Sequence, residues 1–423
     1  MADPTTLDTE PASMLQDTYW TRPEAVIDAE ISAAHEQPLT HDEVEMPEEF
    51  KALITGSMGA WIINKHSHIL EVSKRADVFS SAQGITLLDT PPGFDEFFAS
   101  MIAMDDPRHA RMRKLVSAGF TPRMLKQLEG SVLVQSEKIL DEVADRGECD
   151  FVVDIAARLP LKIVCDLMGV PDSQLDFVFD QTNIVLGAGD PEYVPEGNDP
   201  LTALLLAGQA LTDLMTEIAE AKRGGDGDDL TSILVNAEVD GESLTLPEIA
   251  SFFILLVVAG NETTRNAISW GLHYLTHNPD QRAIWAADFD GVANSAVEEI
   301  VRLASPVTYM RRTALQDTEL DGQKIAEGEK LAMFYLAANR DPAVFEDPNS
   351  FNVLRNPNPH VGFGGPGPHF CLGAHLARRE ITVMFRDLFD RLPDIATTGE
   401  PDLLSSSFIH GIKHLPASFT PTK

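Results

Sequence analysis

From Asp105 onward, apolar residues recur at three- and four-residue spacing, the period of a helix with one buried face. The stretches "HARMRKLVSAGF" (109–120) and "MLKQLEGSVLVQSEKILDEVAD" (124–145) carry this pattern. "LTALLLAGQALTDLMTEIAEAKR" (201–223) continues it until a glycine-aspartate break at 224–229. A long helix is predicted over Leu244–Pro279, with Pro247 near its start and Asn278-Pro279 at its end. A last one runs from Leu372 towards Leu392, with Leu376, Ile381, Phe385, Leu388 and Leu392 on one face. Strand-like pattern is sparse. "GAWIINKHSHILEVSKRADVFSS" (59–81) opens with a β-like run and turns helical, and short strands are predicted in "TELDGQKIAEGEKLAMFYL" (318–336). Residues 1–45 are polar and acidic and read as a lead-in. With no repeat, low-complexity tract or linker beyond them, 46–423 reads as a single mainly α domain with a minor β part.

Charge and cysteines narrow the chemistry. The chain has 66 acidic against 32 basic residues, a net charge of −34. Such a surface repels phosphate backbones and argues against a nucleic-acid partner. No continuous apolar run reaches the ~18–20 residues of a bilayer span. The longest, "FFILLVVAG" (Phe252 to Gly260), reads as a buried helix segment. The N-terminus lacks the basic start and apolar stretch of a signal peptide, so a soluble, cytoplasmic protein is expected. Three scattered cysteines make a disulfide framework improbable. Cys165 has aliphatic neighbours and reads as a packed core thiol; Cys149 has nothing around it to activate it. Cys371 has the unusual setting.

That setting is "HVGFGGPGPHFCLGAHLARRE" (360–380). Gly362, Gly364 and Gly367 spell a dinucleotide-type glycine pattern, but this reading fails. Pro366 and Pro368 each remove a backbone N–H that a phosphate would need. Too little chain remains for a βαβ fold, and the only acid near the ribose position, Asp387, sits mid-helix. The alternative is a thiolate just before a helix, where the positive end of the dipole favours S⁻. Gly367 and Gly373 then let backbone pass close to a flat ligand. An anionic sulfur on a stiff, glycine-rich loop suits thiolate ligation of haem iron.

On these residues, and from about residue 60 onward, the chain resembles the cytochrome P450 family. Phe363, Gly367, Cys371 and Gly373 are similar to its cysteine-ligand loop, although Phe363 lies eight residues before Cys371 where the common pattern has seven. The extra residue is expected to bulge the loop and put the contact of Phe363 with the sulfur in doubt. "EEIVR" supplies Glu299 and Arg302, with Arg355 from "DPNSFNVLR", like the family's buried structural ion pair.

The resemblance implies a mainly α fold with haem b between a long oxygen-side helix and the helix after the cysteine loop. Cys371 is then the axial iron ligand. His109 and Arg113, one helical turn apart, would face the propionates with Arg312 and His369, while Arg311 points elsewhere. In "AGNETT", Ala259 and Gly260 would let the helix lie close to the haem, Thr263 would bond back to the Ala259 carbonyl, and Glu262 would link the site to solvent as the acid of a proton-delivery pair. The implied activity is monooxygenation of an unactivated C–H bond, with electrons from a ferredoxin and its NAD(P)H-dependent reductase. The ferredoxin would dock on Arg108, Arg111, Lys114, Arg123, Lys126, Arg378 and Arg379. The local sequences are most similar to actinobacterial members that hydroxylate chain ends of methyl-branched lipids, isoprenoids and sterol side chains. A pocket is expected from Phe94, Phe97, Phe98, Ile102, Leu255, Val258, Phe408 and Ile409. A monomer is expected. The rivals are an H2O2-using peroxygenase and a non-catalytic haem sensor or carrier.

Overall fold

The computed structural model describes residues 13–45, 57–89, 100–119, 122–187, 189–236 and 244–422. The helices, in chain order, are α1 (Glu24–His35), α2 (His66–Lys74), α3 (Arg108–Gly119), α4 (Pro122–Val143), α5 (Arg158–Met168), α6 (Leu175–Gly187) and α7 (Pro200–Lys222). After them come α8 (Leu230–Asn236), α9 (Leu246–His277), α10 (Pro279–Ala287), α11 (Phe289–Ala304) and α12 (Ala374–Arg391). Strands β1 (His41–Asp42), β2 (Ala60–Ile63), β3 (Phe79–Ser80), β4 (Tyr309–Ala314) and β5 (Lys330–Phe334) form a sheet of order β1-β2-β5-β4-β3. Only β2 and β5 run parallel; the other pairs are antiparallel.

Helix α9 is the axis of the fold. A capping box starts it: the Glu248 N–H donates to Thr245 Oγ1 at 3.3 Å, and the Thr245 N–H donates to Glu248 Oε2 at 2.9 Å. It stops at His277 because Pro279 offers no N–H to continue it, and Pro279 opens α10. Helices α5, α6, α7, α10, α11 and α12 all pack around α9. Its side chains are buried from Ile249 to Ile254 and from Thr264 to Leu275. By length and composition α7 and α9 would pass for membrane spans. Here α9 is a core helix, and α7 lies against it and α6.

The residues from 13 onward are woven into the fold. Trp20 stacks on Phe334 of β5 with ring centroids 5.9 Å apart, and β1 pairs with β2. The one-helix description of Leu372–Leu392 needs a small revision. Helix α12 begins at Ala374, because Leu372 and Gly373 stay in the loop around Cys371. The strands predicted at 318–336 are there as the hairpin Thr318–Leu320/Gln323–Ile325 followed by β5.

A buried ion pair joins α11 to the segment leading to the cysteine loop. Arg302 Nε and Nη2 donate to the two oxygens of Glu299 at 2.8 and 2.9 Å, and neither side chain has exposed surface. Arg355 Nε sits 3.1 Å from both oxygens of the same carboxylate. Arg302 also donates to the carbonyls of Asn339, Pro348 and Ser350 at 2.8, 2.6 and 3.1 Å. One carboxylate thus serves as the counter-charge of two arginines and helps fix three stretches of chain. Glu299→Gln should cost about 3–5 kcal/mol, because it leaves the buried Arg302, with half-buried Arg355 beside it, without a counter-charge. Urea unfolding followed by far-UV circular dichroism measures this.

Candidate active site

The cysteine loop is closed on itself by backbone. The Cys371 N–H donates to Phe363 O at 3.0 Å, and the Gly364 N–H donates to Val361 O at 2.9 Å. Gly364 makes the turn at φ +86°, which side-chain-bearing residues rarely adopt. The longer Phe363–Cys371 spacing is taken up in this hydrogen-bonded turn, and the Phe363 ring receives Arg378, whose Cζ lies 4.3 Å from its centroid. At Gly367 a Cβ would overlap Ser73 O of α2, so loop-to-helix packing requires its bareness. At Gly373 a Cβ would meet nothing within 4 Å.

Cys371 keeps free surface while protein surrounds it closely. Burial pushes its thiol pKa up. The N–H groups of Gly373 and Ala374 and the charges of Arg113 and Arg378 pull it down without fully offsetting the burial. Cys149 and Cys165 lack such donors, and burial raises both to about 12. Of the three thiols, Cys371 alone has backbone N–H donors that favour S⁻, although burial keeps its pKa above the ordinary thiol value.

Beside the loop, Arg113 and Arg312 crowd together with His109 and His369. The His109 and His369 rings are 4.2 Å apart. Burial and then the charges of Arg312, His109 and Arg113 push His369 down to about 3. Burial also lowers His109, against a pull from Asp106, whose Oδ1 is 3.5 Å from its Nδ1. Arg312 is buried and donates to Arg311 O at 2.7 Å; Arg113 donates to Phe370 O at 2.7 Å. Among the described residues neither arginine has a carboxylate partner. A buried cation needs a counter-charge, so this cluster fits a ligand that carries carboxylates. A groove of about 400 Å³ opens here, between His109, Arg113, Lys114 and Gly367. Arg311 is elsewhere, as expected, but it is buried rather than solvated: it donates to Asp89 Oδ1 at 2.6 Å and to the 83–88 carbonyls.

On α9 the burial pattern breaks at mid-helix. Leu255, Val258 and Thr263 are half-buried, and Ala259 is exposed although buried residues flank it along the helix. Thr263 Oγ1 donates to Ala259 O at 2.7 Å. Gly260 differs from expectation: a Cβ would come within 2.8 Å of Val164 Cγ2, so it brings α5 close. Glu262 differs more. It is 1% exposed, and its Oε1 takes hydrogen bonds from Arg265 Nη2 and from Asn266 Nδ2 at 3.0 Å. Arg265 in turn donates to Asn183 Oδ1 of α6 at 2.9 Å. Glu262 therefore has no direct opening to solvent, and Arg265 and Asn266 together hold its Oε1. The Arg265 partner was missed in sequence, although its i+3 spacing from Glu262 is an ion-pair spacing.

Of the other predicted residues, Phe94, Phe97 and Phe98 lie outside the described residues, as does the side chain of Arg123. Ile102 is half-buried on a 3₁₀ turn. Phe408 packs edge-on to Tyr309 at 5.8 Å, and Ile409 is buried in a bridge to Val307, which commits it to packing. Arg108, Arg111, Lys114 and Lys126 are exposed. Arg378 is not a free surface cation: Glu298 holds it through both oxygens, with Nη2 to Oε2 at 2.9 Å. Arg379 is half-buried.

A helical fold built on a long central helix, a thiol with backbone N–H donors before α12, and two arginines without a carboxylate partner among the described residues together define a haem-binding oxygenase of the thiolate type. The chain belongs to the cytochrome P450 family and is a P450 monooxygenase with haem b as its cofactor. The family model "Cytochrome P450" matches residues 206–285 and 291–393. The methyl-branched lipid omega-hydroxylase of Mycobacterium tuberculosis is 48% identical over 375 residues, 88% of this chain and 86% of that one. The steroid C26-monooxygenase of Mycolicibacterium smegmatis is 39% identical, covering 86% and 84%. A Mycobacterium marinum cytochrome P450 solved in complex with pseudoionone superposes with a TM-score of 0.88 at 38% identity, over 98% of this chain and 100% of that one. Arg312→Gln should weaken haem retention by about 10–100-fold, the worth of one charge-assisted hydrogen bond. Transfer of haem to apomyoglobin measures it, and the apoprotein should be no less stable, since the variant loses a buried uncompensated charge.

Proposed function

We propose that Cys371 is the axial ligand and that the enzyme hydroxylates an apolar molecule at or near a methyl-branched end, such as a branched lipid, an isoprenoid or a steroid side chain. The observation that carries the ligand assignment is the contrast among the thiols. A cation acts on each sulfur, but Cys371 alone has backbone N–H donors, from Gly373 and Ala374, acting on it as well. Bound metal would supply the remaining positive charge that stabilises S⁻. When bound, haem b supplies the activation of O₂ that inserts one oxygen atom into a C–H bond. His109, Arg113, Arg312 and His369 would hold its carboxylates. The substrate class is supported by the named activities of the two relatives, the pseudoionone complex, and the apolar Leu255 and Val258 beside Ala259.

Thr263 has a defined part in proton handling. Its hydroxyl proton is committed to Ala259 O, so its free lone pairs accept. It can therefore hold a water as hydrogen-bond donor beside the exposed face of Ala259. Glu262 supplies charge behind it, restrained by Arg265. Two electrons come from a ferredoxin and its NAD(P)H-dependent reductase, docking at Arg108, Arg111, Lys114 and Lys126. We take residues 46–423 as the catalytic domain, 1–45 as its lead-in, and the protein as a cytoplasmic monomer.

Two experiments test this. Cys371→His should still take up haem but lose the red-shifted Soret band of the reduced CO complex, whereas Cys149→Ala and Cys165→Ala should keep it. A Cys371→His protein that retained both the band and hydroxylation would overturn the ligand assignment. Thr263→Ala should keep haem and substrate binding while NAD(P)H oxidation diverts to hydrogen peroxide. Peroxide and product measured against NAD(P)H consumed give the split, and full coupling in the variant would remove Thr263 from proton handling.

A further inference from the structure

Between the cysteine loop and α11 lies a charge cluster that the reaction scheme above leaves unused. Arg378 is one turn into α12, and its Nη1 reaches back towards Ala374 O at 3.5 Å, at the end of the helix where Cys371 sits. Its guanidinium covers the Phe363 ring at 4.3 Å, and Phe363 O is the acceptor for the Cys371 N–H. Glu298 of α11 grips this guanidinium from behind. His360 Nε2 binds the same carboxylate at 2.8 Å, and His360 Nδ1 accepts the Gly362 N–H at 3.1 Å. Burial would raise the Glu298 pKa, but Arg378 and His360 outweigh it and hold it at about 2, so the carboxylate is ionised at neutral pH.

We infer that Arg378 is a positioning residue whose charge, moderated by Glu298, sets the electron density on the Cys371 sulfur and hence the reduction potential of the bound haem. This rests on Cys371 being the axial ligand. The sign follows from charge alone. Reduction adds one negative charge at the thiolate-bound centre, so a nearby cation favours the reduced form and a nearby anion disfavours it. Glu298 lies behind the guanidinium and offsets part of its charge.

Purified haem-loaded protein is titrated with a reductant against a dye of known potential. The reduced CO spectrum is recorded alongside. Arg378→Gln should lower the reduced-to-oxidised ratio at a fixed poise about tenfold, equivalent to ~59 mV for one electron. Glu298→Gln should shift the potential the other way, and Arg378→Lys should remain within about threefold of wild type, by the same one-electron conversion. Opposite signs in the two Gln variants are the result expected from electrostatics, since a purely structural clamp would move both in the same direction. A common direction, no shift in either, or loss of the thiolate-type CO band in all three variants overturns the inference. Absence of that band in the wild type would instead reject the ligand assignment.

Discussion

Glu299 must satisfy two arginines at once with no exposed surface of its own, and much of the molecule is arranged to let it. Its carboxylate takes Arg302 in a fork and Arg355 across both oxygens, while the Asn352 N–H and Asn358 Nδ2 complete its acceptors at 2.9 and 3.1 Å. Arg302 spends its remaining donors on carbonyls between 339 and 350. Asn339, held in that web, accepts the Val361 N–H at 2.7 Å where the cysteine loop begins. A buried pair of this kind adds little net stability compared with apolar packing, but it tolerates only one geometry. The position of Cys371 is a consequence of that geometry.

The site inverts the usual rule for buried charge. Around Glu299 each guanidinium has the carboxylate as a partner. Around His369 the positive groups are left for a ligand to match, on a chain whose net charge is −34. A balance of this sort links folding to cofactor capture: the cluster is least costly when carboxylates arrive. Nearby, α9 gives up helix-facing burial at Ala259 and Thr263 while Gly260 keeps it tight against α5. Small residues on adjacent positions of one helix thus serve opposite ends, open surface on one face and close packing on the other.

Local chemistry made several features legible from the amino-acid string. The apolar period located α4, α7, α9 and α12, and Pro247 and Asn278-Pro279 marked the ends of α9. Cys371 stood apart from Cys149 and Cys165 through its glycines and prolines alone. The i+3 spacing of Glu299 and Arg302 and the i+4 spacing of Ala259 and Thr263 encode contacts that a helix enforces by itself.

Other features depend on partners distant in sequence. Arg378 looked like a surface cation until α11 brought Glu298 to it, eighty positions away. Gly367 looked like clearance for a ligand, and packing of the loop on Ser73 of α2 also requires its bareness. Glu262 looked like a route to water, but Arg265 and, through it, Asn183 of α6 enclose it. Sequence determined which helices form and which thiol is singled out, because backbone hydrogen bonding and helix periodicity act over a few residues. Tertiary structure decided which charges are neutralised and which are left open to a ligand, because Coulomb pairing and desolvation depend on distance in space, whatever the separation along the chain.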